Sequence, residues 1–256
     1  MKQGGTLYIV ATPIGNLDDI TLRAIETLKN VDAIACEDTR VSRKLLDHFG
    51  IKKPLISLHQ HSDDKKLQEI IKRLNRGENI AYISDGGTPG ISDPGQKLVK
   101  IVQAVCHPRA GGDPLIVDSR FHGNDEVKKR DGGEENDDIK IIPIPGPSAV
   151  ASAVSVSGLV EKEFYFAGFL PKKKGRQTKF VELSKIEVPI VIYESALRLE
   201  KTLKDIEKHF GADTEVFIAR EMTKMFEEYW GGAVSEVIAD IANHKLKGEV
   251  TLVVKK

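Results

Sequence analysis

Cysteine is almost missing from this sequence: among 256 residues only Cys36 and Cys106 occur. Two thiols cannot make a disulfide framework, and so low a count fits a reducing compartment. Charge of one sign is missing as well, because 38 Lys and Arg balance 38 Asp and Glu. No global field draws nucleic acid, so any contact with it must rest on a local patch. No apolar run reaches the roughly 20 residues of a membrane span, and Met1 to Val10 lacks the charged-then-apolar order of a signal peptide. The expectation is a soluble, cytoplasmic chain without a membrane partner. Familiar signatures are absent too: no G-x-G-x-x-G opens a helix after the first strand, and there is no Walker A, H-E-x-x-H or G-x-S-x-G. This argues against a standard dinucleotide enzyme, a P-loop NTPase, a zincin and an α/β-hydrolase. Cys106, His107 and His122 lack metal-ligand spacing, so no metal is expected.

What is present is an α/β rhythm. Apolar runs at Leu7–Ala11, Asp32–Cys36, Leu55–Leu58 and Ile80–Ile83 read as buried strands. Between them lie helical patterns: one from Asp18 or Asp19 as cap through Leu28, one over Ser42–Phe49, and one over Asp64–Asn75. A fourth, Gln96–Val105, follows the last of these strands, with Asp93 as its cap and Pro94 in its first turn. Strands alternating with helices predict a parallel sheet covered on both faces. The strand pattern resumes at Ile139–Ile142, and the proline-rich Pro143–Pro147 marks a boundary, giving domains 1–144 and 145–256. The second half reads as a small-residue helix Ser148–Ser157, strands Phe164–Phe169, Ile190–Tyr193, Glu215–Ala219, Glu228–Trp230 and Val250–Val254, and helices Thr178–Lys185, Ala196–Phe210 and Ser235–Asn243. It is α/β with some antiparallel strands expected.

Residues 106–138 break the pattern with glycine pairs, mixed charges and almost no apolar periodicity. A connection this long is outside the usual range for a compact domain. It reads as a flexible, dispensable insert, and its His107–Pro114 and Asp118–Asp125 stretches resemble translated dispersed repeat elements of bacterial genomes.

The stretch Ile83-Ser84-Asp85-Gly86-Gly87-Thr88-Pro89-Gly90-Ile91-Ser92-Asp93-Pro94-Gly95 joins a strand end, a carboxylate, a glycine-rich loop and a helix start. In open α/β sheets that combination at strand C-termini forms ligand sites, although it also serves as an ordinary tight connection. The loops Pro13–Leu17, Glu37–Arg40 and Pro145–Ala149 share the same kind of position, and Ala219–Lys224 follows a strand of the second half.

Tyr8-Ile9-Val10-Ala11-Thr12-Pro13-Ile14-Gly15-Asn16-Leu17, Glu37-Asp38-Thr39-Arg40, the Ser84–Pro89 loop, Pro145-Gly146-Pro147-Ser148-Ala149, Gly168-Phe169-Leu170-Pro171 and Ala219-Arg220-Glu221 occur in this order. Together they resemble the ribosomal RNA small-subunit methyltransferase I family, over the whole chain except the insert. The resemblance implies the two-domain tetrapyrrole-methylase fold: a parallel-sheet N-terminal domain, a mixed-sheet C-terminal domain and S-adenosylmethionine in the cleft between them. It also implies a homodimer and 2′-O-methylation of a cytidine in the decoding centre of 16S ribosomal RNA, within the small subunit. Cofactor contacts then fall on Ile14, Asp85, Thr88, Ser148, Ala149, Ala219, Glu249 and Val250, although by residue type alone Ile14, Ala149 and Ala219 read first as packing.

In-line transfer to a ribose hydroxyl needs positioning and a proton acceptor. Glu37, Asp38, Arg40, Arg220, Glu221 and Lys224 are the candidates, with Arg40 or Arg220 holding phosphate. The alternative is an interface network of ion pairs. Lys172, Lys173, Lys174 and Arg176 form the one dense basic loop, the candidate RNA contact. Tyr193 is a candidate stacking residue or plain core, and Trp230 reads as structural. The rival readings are a tetrapyrrole-precursor methylase of the same fold and a non-catalytic remnant. The second follows from the insert and from a chain that ends at Lys256, where relatives usually carry a further helical segment.

Overall fold

The computed structural model describes residues 4–59, 64–106, 139–244 and 246–256. The insert, apart from its first residue, lies outside the described residues. By contacts the chain divides into two units, Met1–Thr12 with Ile20–Gly146, and Pro13–Asp19 with Pro147–Lys256.

In the first unit, strands β1 (Thr6–Val10), β2 (Ala33–Cys36), β3 (Leu55–Ser57), β4 (Ile80–Ile83) and β5 (Lys140–Ile144) form one sheet in the order β3-β2-β4-β1-β5. Every pairing in it is parallel. β2 and β4 are buried at every position, as interior strands covered on both faces must be. Pro143 lies inside β5, where its missing N–H is harmless because β5 is an edge. Four helices accompany the sheet: α1 (Leu22–Asn30), α2 (Thr39–His48), α3 (Asp64–Asn75) and α4 (Gly95–Cys106). One face packs Leu67, Ile70 and Leu74 of α3 and Leu98 of α4 on Leu7, Ala33 and Tyr82. The other packs Ala24 and Leu28 of α1 and Leu45 of α2 on Val10, Ile34 and Ile83.

Two helix starts differ from expectation. Asp18 and Asp19 belong to a short 3-10 turn, Leu17–Asp19, and the cap of α1 is Thr21, whose hydroxyl accepts the Ala24 N–H. α2 starts three residues earlier than expected because Asp38 caps it, accepting the Arg40 N–H. Asp93 does hold the start of α4, though one residue further out. Its carboxylate accepts the N–H groups of Gly90 and Gly95, each at 2.7 Å, and the Tyr82 hydroxyl at 3.2 Å.

The second unit is a mixed sheet ordered β6-β7-β10-β8-β9. Its strands are β6 (Tyr165–Phe169), β7 (Ile190–Ser195), β8 (Glu215–Arg220), β9 (Glu228–Ala233) and β10 (Glu249–Lys255). β6 runs parallel to β7, and the other pairings are antiparallel. One face carries α6 (Arg176–Leu183), α7 (Ala196–Phe210) and α8 (Val234–Asp240) around Phe180, Leu199, Leu203, Val237 and Leu252. The other is covered by α5 (Ala149–Ser157), with Ala153, Val191, Ala219, Met222 and Val253 buried together. Pro13–Asp19 joins this unit: Ile14 packs on that cluster and the Asn16 N–H donates to Thr223 Oγ1 at 3.1 Å. Among the described residues no helix is long and apolar enough to cross a membrane.

Candidate functional site

β2 and β4 are neighbours in parallel register, Cys36 opposite Ile83, so the segments leaving their C-terminal ends emerge side by side. Asp85 Oδ1 accepts the Asp38 N–H at 3.0 Å and ties the two segments together. The glycine-rich loop is fixed on its other side by Thr12, just past the end of β1. The Thr12 N–H donates to Gly87 O at 3.0 Å and the Gly87 N–H returns to Thr12 O at 2.9 Å. Gly87 has φ of 84°, which a side chain would resist. Thr88 is half-buried behind it and Asp85 stands exposed.

The carboxylates here differ sharply. Asp38 is held at about 2 by its bonds to Arg40, from the guanidinium and from the main-chain N–H. The Arg40 Nη2 to Asp38 Oδ2 distance is 2.6 Å, with the arginine side chain 88% exposed. Glu37 moves the other way: burial pushes its carboxyl up, and the charges of Asp85, Asp93 and Asp38 add to that. Burial also raises Asp85, against the Asp38 N–H that favours its charge. The unit therefore offers one locked ion pair, Asp38–Arg40, and two carboxylates displaced toward neutrality.

In the second unit, Ser148 caps α5 without a side-chain bond to the helix. The Val150 N–H at that end donates to the Tyr193 hydroxyl at 3.1 Å. Tyr193 is thus half-buried and committed at its tip, leaving its ring to contact Phe166 and Phe169. Ile14 and Ala149 flank the buried Ala219. Ala219 is paired with Thr251 on one side and Tyr229 on the other, so its main chain is committed to the sheet. Val250 is buried and Glu249 exposed at the start of β10.

Arg220 cannot hold phosphate as expected. It is 5% exposed, and its guanidinium donates to Glu228 Oε2, Lys247 O and Phe226 O. Glu221 and Lys224 pair with each other at 2.7 Å, and Lys224 reaches Glu249 at 3.0 Å. Burial opposes the charge of both, but these bonds win, so Glu221 falls below the usual carboxylate range and Lys224 rises above the usual lysine value. Neither is poised to exchange a proton near neutrality. The turn carrying them is strained, with φ of 50° at Glu221 and 66° at Thr223. Gly15 lets the Pro13 segment close on it: a Cβ there would fall 2.5 Å from Lys224 Cγ and 2.9 Å from Met222 O.

Arg176 is a second correction. It is 3% exposed, with Nε at 2.7 Å from Asp205 Oδ2 and Nη2 at 2.8 Å from Thr202 Oγ1. Thr202 in turn donates to Glu194 Oε2 at 2.8 Å, and Arg198 pairs with the other oxygen of that fully buried carboxylate. Arg176 anchors the basic loop from below, and Lys172, Lys173 and Lys174 alone stand exposed. Among the described residues no group of three His, Cys, Asp or Glu is arranged to hold a metal.

Known proteins match this architecture. The family model of tetrapyrrole (corrin/porphyrin) methylases matches residues 6–110 and 103–238. Ribosomal RNA small subunit methyltransferase I of Thermotoga maritima is 43% identical over 249 residues, 97% of this chain and 97% of the relative. Its namesake in a Synechocystis species is 43% identical over 251 residues, 98% of this chain and 78% of the relative. Among solved structures, a diphthine synthase has a TM-score of 0.65 at 11% identity, covering 98% of this chain and 90% of its own. A uroporphyrin-III C-methyltransferase from Thermus thermophilus, complexed with S-adenyl homocysteine, has a TM-score of 0.57 at 13% identity, with 98% of each chain covered.

Proposed function

This chain belongs to the ribosomal RNA small subunit methyltransferase I family of the tetrapyrrole methylases, and from that premise we propose that it methylates the 2′ hydroxyl of a cytidine ribose in the decoding centre of 16S ribosomal RNA, as a cytoplasmic homodimer. S-adenosylmethionine, when bound, supplies the electrophilic methyl group. The donor set suits such a ligand: a carboxylate on a glycine-rich loop, and a helix start whose cap residue makes no side-chain bond to the helix. We assign Asp85 and Thr88 of the first unit, and Ile14, Ser148, Ala149, Ala219, Glu249 and Val250 of the second, to cofactor binding.

The observation that carries the reading is the Glu37–Arg40 segment pinned to Asp85 at the end of β2. Of the six catalytic candidates, Glu37 suits a proton acceptor best, because burial and three neighbouring carboxylates raise its affinity for a proton. Asp38 and Arg40 act as a fixed pair that orients the segment. Arg220, Glu221 and Lys224 hold the strained turn against Pro13–Asp19.

Incubation with labelled S-adenosylmethionine and unmethylated small subunits should put label into a ribose of 16S RNA, and Glu37→Gln should lower kcat at least tenfold with little change in KM. Transfer only to a tetrapyrrole precursor, or binding with no transfer, would replace this reading by one of its rivals. The exposed Lys172–Lys174 run favours the RNA substrate over the tetrapyrrole. Changing these three lysines to alanine should flatten the plot of log affinity for the RNA against log salt by about 2 in slope, at about 0.7 for each phosphate that is no longer neutralised. An unaltered slope would remove the loop from the RNA interface.

A further inference from the structure

The second unit carries an exposed aromatic ring that none of these assignments uses. In a regular strand, side chains alternate between faces, so Phe169 would share a face with Tyr165 and oppose Phe166. β6 is not regular. Phe166 pairs with Val191 and Gly168 with Ile192, so Ala167 is the extra residue of a bulge, and Phe169 pairs with Tyr193. Gly168 has φ of 65°, which lets the bulge form without strain.

The bulge moves Phe169 to the face of Phe166, Val191 and Tyr193, the face covered by α5. The rings bear this out: Phe166 lies 4.9 Å from Tyr193 edge-on, and Phe169 lies 5.5 Å from Tyr193 at a 60° tilt. Tyr193 is immobilised by the bond from the Val150 N–H, so the trio is braced from beneath. Phe169 is its outermost ring and is 57% exposed. Leu170 behind it is buried, and the chain then turns directly into the exposed Lys172, Lys173 and Lys174, anchored by the buried Arg176.

An open, braced aromatic face three residues from a run of ammonium groups is the arrangement by which single-stranded nucleic acid is held: ring on base, cation on phosphate. Resting on the RNA reading above, we propose that Phe169 is a stacking platform for an unpaired base of the substrate RNA, with Lys172–Lys174 on the adjoining phosphates. It is a positioning residue; it touches neither the methyl group nor the ribose hydroxyl.

The test compares Phe169→Ala, Phe169→Leu and Phe169→Trp for affinity toward unmethylated small subunits and for affinity toward S-adenosylmethionine. Removing a stacking face weakens binding by about 5- to 150-fold per base. We expect that loss of RNA affinity in both the alanine and the leucine variants, wild-type affinity or better in the tryptophan variant, and unchanged cofactor affinity in all three. Leucine keeps the apolar bulk, so an unfolded alanine variant leaves the question answerable. Wild-type RNA affinity in Phe169→Leu, with methyl transfer intact, would overturn the platform and leave the proposed function standing. If the wild-type protein neither binds nor methylates the RNA, both readings fall together.

Discussion

Replacing Arg176 by methionine should destabilise the protein by about 3–5 kcal/mol, the cost of leaving a buried carboxylate without its partner. Two carboxylates are affected at once, although Glu194 keeps its pair with Arg198. Asp205 loses the guanidinium at 2.7 Å, and Glu194, wholly buried, loses the Thr202 relay that Arg176 orders. Asp205 shows what holds it: burial pushes its carboxyl up, and the bonds from Gln177 and Arg176 more than reverse that. Arg176→Lys should rescue little, because one ammonium cannot donate to Asp205 and Thr202 in the geometry of a fork. For a chain of this size the destabilisation corresponds to a fall in Tm of about 6–20 °C. Lys173→Met, three positions away in the same loop, should leave Tm where it is. Thermal unfolding of the three variants measures this, and equal Tm values for Arg176→Met and Lys173→Met would mean that the buried network contributes nothing net.

Asp85→Ala should raise the Kd for S-adenosylmethionine by about 10- to 100-fold, in the range of a missing hydrogen bond to a charged group. Two effects combine. The proposed cofactor acceptor disappears, and the Asp38 N–H loses its partner at 3.0 Å, which loosens the Glu37–Arg40 segment. Asp85→Asn separates them, since the amide oxygen still accepts that N–H but carries no charge. Calorimetry on the two variants gives the answer. Weak binding by both assigns the effect to the charge, and weak binding by alanine alone assigns it to the anchor. An affinity within twofold of wild type in Asp85→Ala removes Asp85 from the cofactor site.

Where periodicity and punctuation agree, the chain is readable from its sequence. α3 and α7 have the expected bounds, Asp64–Asn75 and Ala196–Phe210, because long amphipathic patterns end at Gly77 and Gly211. β4 is bounded equally well by its apolar run. The family resemblance carried by six motifs is matched by relatives over nearly the whole chain.

Three of the departures share a physical source: a polar side chain has more than one use. Asp38 reads as chemistry, yet it also caps α2, which is why that helix begins early. Arg176 looks like the end of a basic run, and only its position at the start of α6 sends it inward to Asp205. Arg220 is spent the same way on Glu228 and two carbonyl oxygens. β9 runs three residues further than expected, through Gly231 and Gly232, because pairing with β8 outweighs their poor strand propensity. The face of Phe169 depends on a bulge, of which Gly168 inside a strand pattern is the only trace in the sequence.

The bond from Asn16 to Thr223 spans 207 residues. A ribosome adding about 5–20 residues per second needs roughly 10–40 seconds to make the second partner after the first. Through that interval Pro13–Asp19 is already synthesised while the turn it will pack against does not yet exist. The second unit therefore cannot close until Thr223 has been made, and it closes on a residue synthesised 207 positions earlier.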